Sequence, residues 1–351
     1  MAHPRRLEEL SILNVLFCML VVFIHVLSHA VTSLDTASWQ FALVLIPQRL
    51  AFVAVPGFFF LSGVKLTLPR EERQTLTNYY RGRAKNLLLP YLLAAAVYYL
   101  LFVAVGWHTF SLGQFVRETA LGTLSAQFYF LIALIQFILL TPLFRWLTRR
   151  YHPVFLLPLA LGITWLSSMH LDEILQLFYP AIDFPYRDRV FTSYLVYYMS
   201  GCCAGAYYPT FLTLLRENRS LFTACTLFFG VADGATYLLA ASGQQVIPYL
   251  ELIHTLYILS AIPALYSLAL WQKGRLNGAA ARLFCEIDRA TYLIYLYHCL
   301  VIIIFNSLAP RVLGCSPSTL LLLRTIVVYP VTITACILWQ RLRANLKKRK
   351  T

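Results

Sequence analysis

Charge is what this sequence has least of. Only 13% of its 351 residues are Asp, Glu, Lys or Arg, against about 25% in an ordinary soluble domain. Hydrophobic residues make up 59%. The length would allow two or three soluble domains, but so few solvating groups cannot cover their surfaces. Nor does any stretch between the apolar runs suffice for a sizeable soluble domain, which argues against an anchor or sensor for a partner.

Patterned cysteine is missing too. The eight cysteines include no CxxC pair and no Cys/His set at zinc spacing, so neither a disulfide framework nor a metal site is indicated. Cys18, Cys202, Cys203, Cys225, Cys299 and Cys336 fall within apolar runs, Cys285 on the expected inner face, and Cys315 in an outer loop. No small-residue cleavage site follows the first apolar run, which is too long for a signal peptide. No inverted repeat of the transporter kind is visible.

What is present is a series of long apolar runs, each able to cross a ~30 Å hydrocarbon layer as a helix. They are too long and too uniform for the alternating strands of a barrel. The expected fold is therefore all-α, a polytopic transmembrane bundle of about ten helices forming one domain. The spans are 10–32, 40–64, 86–106, 127–147, 153–169, 192–210, 220–241, 248–271, 291–309 and 318–340. The run at 153–169 is the shortest, and a tilted or re-entrant element is its alternative.

The net charge of +14 is arranged by topology. With both termini inside, basic residues gather in the inner segments, among them Arg5, Arg6, Arg70, Arg73, Arg81, Arg83 and Lys85. The outer loops hold Arg117, Arg187, Arg189 and Arg311. Such asymmetry marks the cytoplasmic face, and the tail Lys347–Lys350 suits anionic headgroups of membrane lipid. Nucleic acid is not an expected partner. The outer segment 170–191 carries Asp172, Glu173, Asp183, Arg187, Asp188 and Arg189, polar enough to meet a hydrophilic ligand.

Ionisable residues inside lipid are costly and so are functional candidates. Here they are His25, Arg49, Asp233, Glu251, His254, His298 and Arg324, with His29 near an end. Arg49 and Arg324 lie near enough to their outer ends to snorkel. Asp233 lies deep and needs a partner or a proton. His25, about fifteen residues into the first span, must face the bundle interior; an imidazole, with an ordinary pKa of about 6.5, suits proton transfer. Glu251 and His254, three apart on one helix face, are placed to orient an acceptor or to hold His25 in its working tautomer. His298 is expected to brace the bundle.

The motifs resemble one family. Glu9-Leu10-Ser11-Ile12-Leu13-Asn14-Val15-Leu16 and then Val21-Val22-Phe23-Ile24-His25 are similar to the opening helix of the acyltransferase-3 family, whose proposed catalytic residue is that His. Phe58-Phe59-Phe60-Leu61-Ser62-Gly63 resembles its FF-x-LSG motif. Arg83 through Pro90-Tyr91 resembles its RxxR segment running into Pro-Tyr. Phe128-Tyr129-Phe130-Leu131 with Thr141-Pro142-Leu143, the small residues Gly201 and Gly205 near Tyr198, and Thr291-Tyr292-Leu293-Ile294-Tyr295-Leu296-Tyr297-His298 follow in family order. Two positions depart. The family's helix-one Arg falls on Asn14 and the second Arg of RxxR on Asn86, and Asn cannot reproduce a bidentate guanidinium.

The resemblance implies a bacterial plasma-membrane enzyme. It would move an acyl group, expected to be acetyl, from cytoplasmic acyl-CoA to a hydroxyl of a cell-envelope saccharide. Acyl-CoA is the donor and no metal is expected. His25 would be base or nucleophile. Arg81, Arg83 and Lys85, which also read as a plain topology signal, would meet the donor's phosphates, with Asn14, Asn86, Glu251, His254 and His298 in support. The alternative is an exporter of a saccharide or lipid-linked intermediate on the same bundle, which the two Asn positions favour. Oligomeric state is not legible.

Overall fold

The computed structural model describes residues 7–69, 75–181, 183–243, 249–313 and 316–348. Arg5, Arg6, Arg70, Arg73, Cys315, Arg349 and Lys350 lie outside the described residues, as do the side chains of Arg311, Lys347 and Lys348. Every regular element among the described residues is helical. In chain order the α-helices are α1 (Glu8–Ser33), α2 (Trp39–Ala51), α3 (Ala54–Thr67), α4 (Leu76–Arg83), α5 (Leu89–Ala104), α6 (Leu112–Leu121), α7 (Phe128–Leu139) and α8 (Thr141–Arg150). There follow α9 (Pro153–Gln176), α10 (Leu195–Ala206), α11 (Tyr208–Glu217), α12 (Arg219–Ala241), α13 (Leu250–Gln272), α14 (Gly278–Leu313) and α15 (Pro317–Lys348).

Eight helical stretches are long and apolar enough to cross a bilayer; α7 and α8, bent by 60° at their junction, make up to nine. The chain is a multi-pass membrane protein. Prolines explain the interruptions, because a proline returns no hydrogen bond to the carbonyl four residues earlier. Pro142 leaves that of Ile138 at the α7–α8 bend. Pro209, at the start of α11, leaves that of Gly205, and the expected span 192–210 is two helices parted at Tyr207. The 12 residues of α10 rise only about 18 Å, short of the ~30 Å core. The run at 153–169, by contrast, lies in a helix of 24 residues that is long and apolar enough to cross a bilayer. The last two spans overshoot the expected ends, and Arg341 pairs with Glu286 at 2.6 Å between their extensions.

The chain divides into two compact units, Met1–Val55 with Leu215–Thr351 and Pro56–Leu214; we call them the terminal and middle units. In the terminal unit α1 packs against α2, α13, α14 and α15. Leu13, Phe17, Cys18 and Val26 of α1 are wholly buried. Its start is fixed by its two acidic residues, which favour a helix N-terminus. Glu8 accepts the backbone N–H of Gly274 at 2.9 Å, and buried Glu9 pairs with Lys273 at 3.0 Å. Gly274 holds φ +75°, a left-handed turn that glycine takes without penalty.

In the middle unit α3 and α10 touch backbone to backbone. A Cβ on Gly201 would lie 2.0 Å from the Phe60 carbonyl oxygen, and one on Gly63 2.2 Å from that of Tyr198. Such small-residue contacts are how helices associate where lipid removes the hydrophobic drive between them. Thr67 adds a hydrogen bond to the Cys202 carbonyl at 2.7 Å. Beside this seam Phe137 stacks on Tyr198 with centroids 4.1 Å apart. The charges of segment 170–191 mostly pair among themselves: Arg187 with Asp172, Arg189 with Asp188, and His170 with Glu173.

Gly201→Ala is expected to destabilise the protein by about 3 kcal/mol or more, the upper range for overpacking, since a backbone carbonyl cannot yield. Gly162→Ala, which meets nothing within 4 Å, should be neutral or slightly stabilising. Thermal unfolding of both variants in detergent reads the difference.

Candidate functional site

The terminal unit brings His25 of α1 against His298 of α14, with ring centroids 5.1 Å apart and planes tilted by 47°. His298 is fully buried; its Nδ1 lies 3.0 Å from the Ile294 carbonyl oxygen. A carbonyl only accepts, so Nδ1 carries the hydrogen and the neutral ring presents Nε2 as an acceptor. Cys299 Sγ lies 3.3 Å from that Nε2. His25 is only partly buried. His298, expected to brace the bundle, thus shares a site with His25.

The backbone around His25 is held from two sides. Gln48 of α2 donates to the Ile24 carbonyl at 2.9 Å. Arg324 of α15 donates to the Val26 carbonyl at 3.1 Å and to Asn306 Oδ1 at 3.0 Å. The carbonyls just before and just after His25 are each taken by a neighbouring helix. Arg324 is 2% exposed and does not snorkel. A carbonyl and an amide inside the unit hold its guanidinium there, away from the headgroups.

Arg49 does not snorkel either. Its Nε bonds both oxygens of Asp233, at 3.1 and 3.2 Å, and its Nη2 reaches Glu251 at 3.4 Å. Asp233, fully buried, also binds His254 Nδ1 at 2.6 Å, which supplies the partners its depth demanded. His254 is therefore held by Asp233. Glu251 and His254, expected either to orient an acceptor or to hold the tautomer of His25, are engaged here through Glu251 Oε1 by Arg49 and through His254 Nδ1 by Asp233.

Asn14, where the family pattern has Arg, spends its amide on α14. Nδ2 donates to Asp288 Oδ1 at 3.0 Å and to Thr291 Oγ1 at 2.9 Å, while Ser11 donates to Asp288 Oδ2 at 3.0 Å. Eleven residues of helix separate it from His25, about 16 Å of rise. Asn14 is a bolt between two helices, and both its amide hydrogens are occupied.

In the middle unit Arg81, Lys85 and Asn86 are exposed, and Arg83 is partly buried. The Arg83 guanidinium lies 5.0 Å from the centroid of Tyr79, and Arg145 of α8 lies 5.5 Å from the same ring. Two arginines thus meet on one tyrosine. Ala84–Leu88 is a π-helical turn, a form frequent at functional sites. Pro90 explains it locally, since it gives no N–H to the Asn86 carbonyl. Beside it an apolar cavity of about 400 Å³ is lined by Leu88, Tyr91, Leu92, Phe115, Val116 and Ile132, suited to a hydrocarbon chain and not to a charged group.

Cys299, Gln48, Arg145 and Asp288 were not singled out from sequence. Cys299 adjoins His298, and Asp288 precedes Thr291 by one helical turn, so these two left a local signal. Gln48 and Arg145 left none, since only tertiary packing brings them to their partners.

The profile of the acyltransferase 3 family, described as an acyltransferase domain, matches residues 7–340. The match runs through both units. No curated protein and no solved structure shows a significant match to the chain.

Asp233→Ala should destabilise the protein by about 3–5 kcal/mol, because it leaves the buried Arg49 without its counter-charge. Glu251→Gln should cost no more than about 1 kcal/mol, as befits a half-exposed pair. Unfolding midpoints of the two purified variants distinguish them.

Proposed function

Because the chain belongs to the acyltransferase 3 family, we propose that it moves an acyl group, acetyl in the first instance, from cytoplasmic acyl-CoA to a hydroxyl of a cell-envelope or exported saccharide. Membership makes it a membrane enzyme transferring acyl groups other than amino-acyl groups. The observation that carries the site assignment is the His25–His298 pair inside a membrane bundle. One ring nitrogen of His25 takes the acceptor's hydroxyl proton as the oxygen attacks the thioester carbonyl. The tetrahedral intermediate collapses, the C–S bond breaks, and the departing CoA thiolate recovers the proton. His298, with Nδ1–H committed to Ile294, offers Nε2 to a protonated His25 and so stabilises it.

Gln48 and Arg324 act as positioning residues, since they fix the turn that carries His25. Arg83 and Arg145 on Tyr79, with the exposed Arg81 and Lys85, are assigned to the donor's phosphates; Arg suits phosphate through its fork of donors. The exposed amide of Asn86 contributes a hydrogen bond without charge. Glu251, half exposed beside His254 and Arg49, is assigned to the acceptor. We assign both termini to the cytoplasmic side of a bacterial plasma membrane, a reading supported by the distribution of basic residues. The export reading drew on Asn14 and Asn86, and the bolt from Asn14 to Asp288 gives the first of these a structural explanation.

Membrane vesicles carrying the protein, supplied with radiolabelled acetyl-CoA and envelope glycan, test the proposal. Label should pass to the glycan, and His25→Ala should lower the rate by about 10²–10⁴-fold, the range for a general base, without loss of folded protein. Undiminished transfer by the variant would remove His25 from the role.

A further inference from the structure

Beside His25 and His298 stands a thiol, that of Cys299, which acyl transfer does not require. His25, His298 and Cys299 each offer one ligand atom, and these atoms all lie within 4.8 Å of one another. Metal–ligand bonds of about 2.0–2.3 Å put the donors of a three-coordinate site about 3.5–4 Å apart. Cys299 Sγ and His298 Nε2, at 3.3 Å, are already at about that separation, and closure asks for a movement of about 1 Å by the His25 ring.

The supporting contacts fit a ligand set as well. A metal-binding His usually donates its second ring N–H to a carbonyl or carboxylate, which fixes the tautomer and orients the ring. His298 does so through Nδ1 to the Ile294 carbonyl, leaving Nε2 for the ion. His25 retains part of its surface, so the cluster is not sealed. Its helix is fixed in register by Gln48 and Arg324.

We propose that His25, His298 and Cys299 form a binding site for a soft monovalent metal cation of the Cu(I) class. Thiolate and imidazole donors select Cu(I) or Zn(II), and charge decides between them. On binding, the Cys299 thiol releases its proton to solvent and the S–metal bond forms, with no change of oxidation state. A monovalent ion with one thiolate and two neutral imidazoles is then electrically neutral, whereas Zn(II) leaves a net positive charge where ionised groups are expensive. The Arg324 guanidinium, bonded to the carbonyl next to His25, already supplies a positive charge there and disfavours a second. Coordination occupies the His25 ring, so the ion would inhibit the enzyme reversibly; only this consequence rests on the proposed role of His25.

Cu(I) titrated anaerobically into the purified full-length protein in detergent, against a chromophoric Cu(I) chelator, reads binding without any assay of acyl transfer. One equivalent should be withdrawn from the chelator. Cys299→Ser, His298→Gln and His25→Ala should each weaken that uptake by about 100-fold or more, since even outer partners of a metal site are worth 10–100-fold. Cys285→Ser, at an exposed cysteine, should leave it unchanged. Thermal midpoints identify any variant that fails to fold, and the two remaining ligand variants, one on each helix where His25→Ala is retained, then decide. Absence of uptake, uptake equal in wild type and ligand variants, or preferential uptake of Zn(II) in the same competition would overturn the proposal.

Discussion

In hydrocarbon there is no water to satisfy a polar group, so each polar group in the bundle must find its partner within the protein, on its own helix or on a neighbour. In the terminal unit that constraint falls most heavily on α1. Its polar side chains Ser11, Asn14 and Cys18 bond to α14. Its backbone carbonyls at Met19, Ile24 and Val26 accept from Tyr329, Gln48 and Arg324. Three neighbouring helices therefore set the height and rotation of α1. His25 inherits a fixed position from bonds that it does not itself make.

A second polar cluster obeys the same rule with charges. Arg49, Asp233, His254 and Glu251 come from α2, α12 and α13, and the innermost carboxylate has both a guanidinium and an imidazole on it. This cluster and the histidine pair are joined through adjacent residues of α2, for Gln48 serves α1 and Arg49 serves α12. The short helix α2 thus couples the position of His25 to the pairing of Asp233.

Hydropathy made the helices legible, because a span long enough to cross lipid needs no knowledge of its neighbours. The bend at Leu140 and the break at Tyr207 were less legible, although Pro142 and Pro209 sit where such interruptions arise. Partners were the hardest to read. Arg49 and Arg324 lie near the ends of their spans, which favours snorkelling, but Asp233, which holds the first, is 184 residues away and the Val26 carbonyl, which helps to hold the second, is 298 away. The family motifs picked out His25 and His298 separately, and neither spacing nor composition put the two rings together. Asn14 read as a lost charge. In the structure it bonds to Asp288, so the same position that carries Arg in the family pattern faces a carboxylate here.

The account stands on His25 and His298 acting as one unit, and a double-mutant cycle on kcat for acyl transfer tests this most directly. His25→Gln and His298→Gln should each lower the rate, and the double variant should be about as slow as the slower single, the signature of groups that act together. Losses that multiply would contradict the account, since they would mean that the two rings contribute independently.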